Sequence, residues 1–141
     1  MFEYAMTPDN RTFFERNGYL ILDRLLSAAE VAHYLAIYDR DREENAFTWR
    51  SKPGHQTINC DSLVTVPEIE PLIRHPRILQ PVEELLGSPC CLAEVCLRHM
   101  APHNGPLLRS WHRDHPHDLD HPLRTGWLHC MIYLTDVGAD T

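Results

Sequence analysis

Residues 109–122 read RSWHRDHPHDLDHP. This one stretch carries four of the chain's ten histidines, and a fifth, His129, follows shortly after. In an extended segment residues i and i+2 project to the same side. His112 and Asp114 then converge, with Cα atoms roughly 6.5–7 Å apart, while Arg113 points away. An imidazole nitrogen and a carboxylate oxygen at that separation can meet a single divalent ion.

A histidine and a carboxylate that leave coordination positions open form two-thirds of the facial triad that holds non-haem iron. An H-x-D tripeptide also arises by chance in a histidine-rich chain, and a solvated surface loop is the plain alternative. His115, His117 and His121 fit that alternative, since each neighbours a proline or an aspartate in an expected turn. His112, His115 and His117 together allow one more reading: three ligands of a zinc-dependent hydrolase with water in the fourth position. Pro116 interrupts that run.

Working outward, residues 126–134 (GWLHCMIYL) alternate, which predicts a strand with Trp127, His129, Met131 and Tyr133 on one face. His129 reads there as a buried histidine with a satisfied hydrogen bond. Residues 101–110 contain proline and glycine and read as a loop. Residues 90–100 predict a strand with Cys91, Ala93, Val95, Leu97 and His99 on one face. Leu92, Glu94, Cys96, Arg98 and Met100 would lie on the other. Pro76 to Leu86 reads as a helix stopped by Gly87, with Pro81 as a kink or delay. Residues 60–66 predict a short strand. Residues 46–58 read as a loop around Pro53-Gly54.

The N-terminal signals are stronger. Thr7-Pro8 is an N-cap followed by a first-turn proline, and Gly18 ends the helix predicted over 8–17. YLILD at 19–23 predicts a strand. Ser27 and Glu30 form a capping box, with Leu26 and Val31 placed for a hydrophobic staple. Val31, Tyr34, Leu35 and Tyr38 then mark an apolar helical stripe. The run Asp39 to Glu44 reads as the solvated end of that helix.

The 141 residues suit a single domain, and 43% apolar composition suits a packed core. A net charge of −7 argues against a nucleic-acid surface. No apolar run approaches the roughly 18 residues of a membrane span, and no secretory leader is visible. A soluble cytoplasmic protein is the expectation. Five cysteines with no C-x-x-C pair argue against a disulfide framework and for free, mostly buried thiols. Helices precede strands, so the class is α+β.

In combination these segments resemble the phytanoyl-CoA dioxygenase family. FFERNGYLILDRLLSAAEV is similar to that family's opening helix, strand and capped helix, and HPRILQPVEELLG to its helix before the first core strand. SWHRDHP resembles its W-H-x-D signature, and GWLHCMIYLTDVGADT the core strand that follows. The resemblance implies a helical region (about 1–88) packed on the first strands (about 89–141) of a double-stranded β-helix, or jelly roll. It implies an oxidoreductase that uses Fe(II), O2 and 2-oxoglutarate as cosubstrate to hydroxylate a small organic substrate, with His112 and Asp114 as metal ligands. Arg98 and Trp111 are the weaker candidates beside the cosubstrate, and a rim salt bridge is the plainer role for Arg98. Glu94 and Met100 could face the same interior. Trp49, His55 and Gln56 fall where the family builds a lid.

Family members also carry a distal histidine ligand and an arginine for 2-oxoglutarate farther downstream, and no residue here fits either slot. The chain is therefore expected to be the N-terminal part of one oxygenase domain, a fragment inactive alone and weak for iron. A non-catalytic jelly-roll module is the remaining alternative. Neither substrate nor oligomeric state can be read from the sequence.

Overall fold

A computed structural model describes residues 6–102 and 126–138. Helix α1 spans Pro8–Asn17, as the cap and the glycine stop require: the Thr7 hydroxyl accepts from the Asn10 N–H, and Gly18 closes the helix at φ 77°. It buries no residue of its own and is tied to the rest by the Arg11 guanidinium, which donates to the Glu84 carbonyl at 2.8 Å.

Helix α2 spans Ala28–Glu44 and opens on the expected capping box. Its buried stripe is Tyr34, Ile37 and Asp41. The charged end is thus only partly solvated, because Asp41 is one full repeat past Tyr34 and turns inward with it.

The predicted loop at 46–58 is instead a short 3-10 turn (Ala46–Thr48) and a β-hairpin. Strand β1 (Arg50–Lys52) pairs antiparallel with β2 (Gln56–Asn59) across the turn Pro53-Gly54-His55. Gly54 and His55 both adopt positive φ there, 84° and 61°. Polar residues on two short strands hide the periodicity that marks longer ones.

Residues 60–66 do not form the expected strand. The ladder ends at Asn59, and a helical turn, α3 (Ser62–Thr65), follows. A 3-10 turn at Pro67–Ile69 leads into α4 (Glu70–Ile73), and α5 spans Pro76–Leu86. Helix α5 continues through Pro81, whose buried ring packs inward; only the one amide donor is lost.

Strand β3 (Leu97–Met100) completes a three-stranded antiparallel sheet in the order β1-β2-β3. Only the last four residues of the predicted 90–100 strand find a partner; register pairs Leu97 with Asn59, Arg98 with Ile58, His99 with Thr57 and Met100 with Gln56. Residues 19–22 and 126–134 form no ladder with any described residue either, and Ile21 is 73% exposed. A strand needs a neighbour to satisfy its backbone, and alternation alone does not supply one.

The core is formed by Tyr34, Ile37, Val66, Ile69, Leu72, Ile78 and Leu97, with Leu25, Leu26, Trp49 and Leu134 among the half-buried residues around it. The architecture is α+β: helices packed on one small antiparallel sheet. No helix among the described residues is long and apolar enough to cross a membrane.

Two carboxylates organise the contacts between elements. Glu30 joins the starts of α2 and α5. Its Oε2 accepts from the Ser27 N–H at 2.6 Å and from Arg77 at 3.0 Å. The Arg77 N–H donates to His75 Nδ1, so Nε2 keeps the ring proton and donates to Glu30 Oε1 at 3.1 Å. Hydrogen bonds from Ser27, then His75 and the Arg77 charge, hold the Glu30 carboxyl at about 2, well below the ordinary 4.5.

Asp41, 1% exposed, joins α2 to the hairpin. It accepts from Asn45 Nδ2 (2.9 Å), Trp49 Nε1 (3.0 Å) and Asn59 Nδ2 (2.8 Å). Asn59 also donates to Thr65 Oγ1 at 3.0 Å, so the start of the next segment is bound into the same network.

Candidate functional site

His112, Asp114 and Trp111 lie outside the described residues, as do His115, His117 and His121. Strand β3 is the last described strand before that segment. Opposite residues of an antiparallel pair share a face, so Leu97, His99, Asn59 and Thr57 lie on one side of the sheet. Arg98, Met100, Ile58 and Gln56 lie on the other. The predicted alternation of Arg98 and Met100 against Leu97 and His99 is therefore present, over these four residues only.

The first face packs on α2. The Tyr38 hydroxyl donates to the Arg98 carbonyl at 3.2 Å, and its ring lies 6.4 Å from that of His99. Trp49 meets Tyr38 edge-on at 5.5 Å, and the Arg42 guanidinium sits over both rings at 5.8 and 5.9 Å. Burial raises the Tyr38 hydroxyl to about 12. Burial, then the Arg42 charge, lowers His99, so its ring is neutral at pH 7. These groups hold β3 in place by hydrogen bonding and ring stacking.

Arg98 is exposed, and the salt bridge expected for it does not form among the described residues. Glu94 is exposed in the segment before β3, outside any ladder. Trp49 follows the 3-10 turn, and its indole N–H donates to Asp41 at 3.0 Å. His55 and Gln56 belong to the hairpin: the His55 carbonyl accepts from Ala101, and Gln56 pairs with Met100.

His129 is exposed rather than buried, and its Nε2 accepts from Trp127 Nε1 at 2.8 Å. The Tyr133 hydroxyl likewise contacts the Met131 sulfur at 3.8 Å. Contacts between i and i+2 are those of extended chain. The segment thus keeps the predicted grouping of Trp127 with His129 and of Met131 with Tyr133, without a partner strand among the described residues.

The cysteines also differ from expectation. Cys60, Cys91 and Cys130 are exposed, and Cys90 and Cys96 are half-buried; all are free thiols. Among the described residues no group of three or more His, Cys, Asp or Glu side chains is placed to hold a metal. Sequence reasoning missed the Asp41 network, although a signal was available: Tyr34, Ile37 and Asp41 follow the i, i+3, i+7 spacing of a buried stripe.

A family profile described as phytanoyl-CoA dioxygenase (PhyH) matches residues 14–141. Similar relatives include the ectoine dioxygenases of Bordetella bronchiseptica and Bordetella parapertussis. Each is 30% identical over 149 aligned positions, covering 96% of this chain and 46% of the relative. The chain thus spans about half the length of these relatives. No solved structure matches significantly.

Proposed function

The chain belongs to the phytanoyl-CoA dioxygenase family, and from that premise we propose that it forms part of an iron(II)/2-oxoglutarate-dependent oxygenase acting on a small organic molecule. The observation that carries the reading is the family match across residues 14–141, which contains the Trp-His-x-Asp stretch at 111–114. The donor set suits the metal: a neutral imidazole and a carboxylate hold ferrous iron while leaving positions open for exogenous ligands. When bound, iron and 2-oxoglutarate supply the oxidising power for O2-dependent hydroxylation of a C–H bond.

In this proposal His112 and Asp114 hold the metal from one side of an extended segment. Trp111 packs beside the cosubstrate. Arg98, free of internal ion pairs among the described residues, offers two parallel N–H donors to a carboxylate. The Tyr38 bond to the Arg98 carbonyl and the Asp41–Asn59 bond fix the sheet from which that guanidinium projects.

The complete domain would be a jelly roll, with residues 1–88 as its helical region and 89–141 as its first core strands. Antiparallel pairing of β3 and the extended contacts at 127–133 support this arrangement. The relatives' name makes ectoine the first substrate to try.

The test uses the full-length protein under anaerobic conditions. Addition of iron(II) and 2-oxoglutarate should give a weak visible charge-transfer band, and Asp114→Ala should abolish it. A band unchanged in that variant would refute the ligand assignment. Absence of any band, with zinc retained through purification, would favour the hydrolase alternative at His112, His115 and His117.

A further inference from the structure

The β2–β3 ladder ends at the pair Asn59 and Leu97. One further step in the same antiparallel register sets Cys60 opposite Cys96. Their sulfurs lie 3.4 Å apart, although the residues are 36 positions apart in sequence. We propose that Cys60 and Cys96 form a reversible redox pair, closed to a disulfide by small-molecule disulfides such as glutathione disulfide.

The geometry favours this pairing. Directly opposed residues on antiparallel strands have Cα atoms about 4.5–5.5 Å apart, inside the range a disulfide bridges. The sulfurs must close by about 1.4 Å to reach bonding distance. Both residues lie just past the last ladder pair, so side-chain rotation and a small shift of the strand ends suffice.

The two thiols are also unequal. Cys60 is exposed and meets the oxidant first, whereas Cys96 is half-buried. Burial, then the neighbouring Cys60 thiol, raises Cys96 to about 11, so it reacts second.

The Cys60 thiolate attacks one sulfur of glutathione disulfide, breaking its S–S bond and releasing one glutathione thiolate, which takes up a proton. The Cys96 sulfur then attacks Cys60, breaking the mixed disulfide. The second glutathione leaves and takes the Cys96 proton. Two protein thiols are oxidised, and one glutathione disulfide becomes two thiols. The bond would close a loop containing α3, the 3-10 turn at Pro67–Ile69, α4 and α5; the turn supplies Ile69 to the core, α4 supplies Leu72 and α5 supplies Ile78. Constraint of the unfolded chain by a loop of this length predicts a rise in Tm on the order of 10 °C.

The test equilibrates the full-length protein with glutathione buffers of increasing disulfide content, then alkylates the remaining thiols. Digestion with trypsin and a glutamate-specific protease separates Cys96 from Cys90 and Cys91, because Glu94 lies between them. A peptide linking Cys60 to Cys96 is expected, together with a rise in Tm that dithiothreitol reverses. Cys60→Ser and Cys96→Ser should each lose the rise, and Cys90→Ser should keep it. Recovery of Cys60 only as a glutathione adduct, or linked to Cys90, Cys91 or Cys130, would overturn the proposal. So would complete alkylation of both thiols under oxidising conditions. The mapping uses the unmodified protein, so a variant that fails to fold does not affect it.

Discussion

Replacing Asp41 with alanine removes the acceptor at the centre of the largest buried polar network among the described residues. Three donors point at it: Asn45, Trp49 and Asn59. A hydrogen bond to a charged group contributes about 1.5–3 kcal/mol, but three of them do not simply add. Deleting the carboxylate also removes the cost of burying it. Asn59 keeps its bond to Thr65, and Asn45 keeps a long one to the Thr65 carbonyl at 3.4 Å. Trp49 Nε1 has no second acceptor among the described residues and is left unsatisfied in a half-buried position.

The net loss expected is about 3–4 kcal/mol, set by that orphaned donor and the cavity. For a chain of this size it corresponds to a fall in Tm of roughly 10 °C. Urea unfolding followed by circular dichroism measures it. Trp49→Phe supplies the control, since it removes the indole N–H and keeps a ring. Alone it should cost about 1–2 kcal/mol, and in the Asp41→Ala background close to nothing. A loss below about 1 kcal/mol for Asp41→Ala, or full additivity of the two changes, would refute the claim that this network fastens α2 to the hairpin.

Three further outcomes test other parts of the structure. Glu30 is held at about 2 when folded against an ordinary 4.5; its contribution is therefore present above pH 4.5 and is lost as the pH falls towards 2. The difference in Tm between the native protein and Glu30→Gln should shrink over that interval, and a constant difference would contradict the assigned partners. Gly87→Ala places a side chain at φ 72° with no atom within 4 Å of the new Cβ, so the cost is conformational, about 1 kcal/mol in denaturant unfolding. Ile69→Ala empties a site only 2% exposed and should cost about 2–5 kcal/mol by the same measurement.

Legibility in the sequence followed the range of each interaction. Helix starts and stops were read correctly at Thr7, Ser27, Gly18 and Gly87, because caps are settled by residues three or four positions away. Strands were read poorly. YLILD has an apolar pattern and no partner strand among the described residues, while Arg50–Lys52 has a polar pattern and pairs with Gln56–Asn59. His112 and Asp114 rest on one tripeptide in the context of the family resemblance, and both lie outside the described residues.

The sequence by itself determined the helical caps and the family. Each is encoded locally or as a linear pattern along the chain. Tertiary structure alone decided that Asp41 lies buried among three donors and that Cys60 faces Cys96. It also decided that four residues of an eleven-residue run became strand. The physical reason is common to all three: a buried carboxylate, a thiol pair and a β-ladder each require a partner distant in sequence, and chain folding selects that partner.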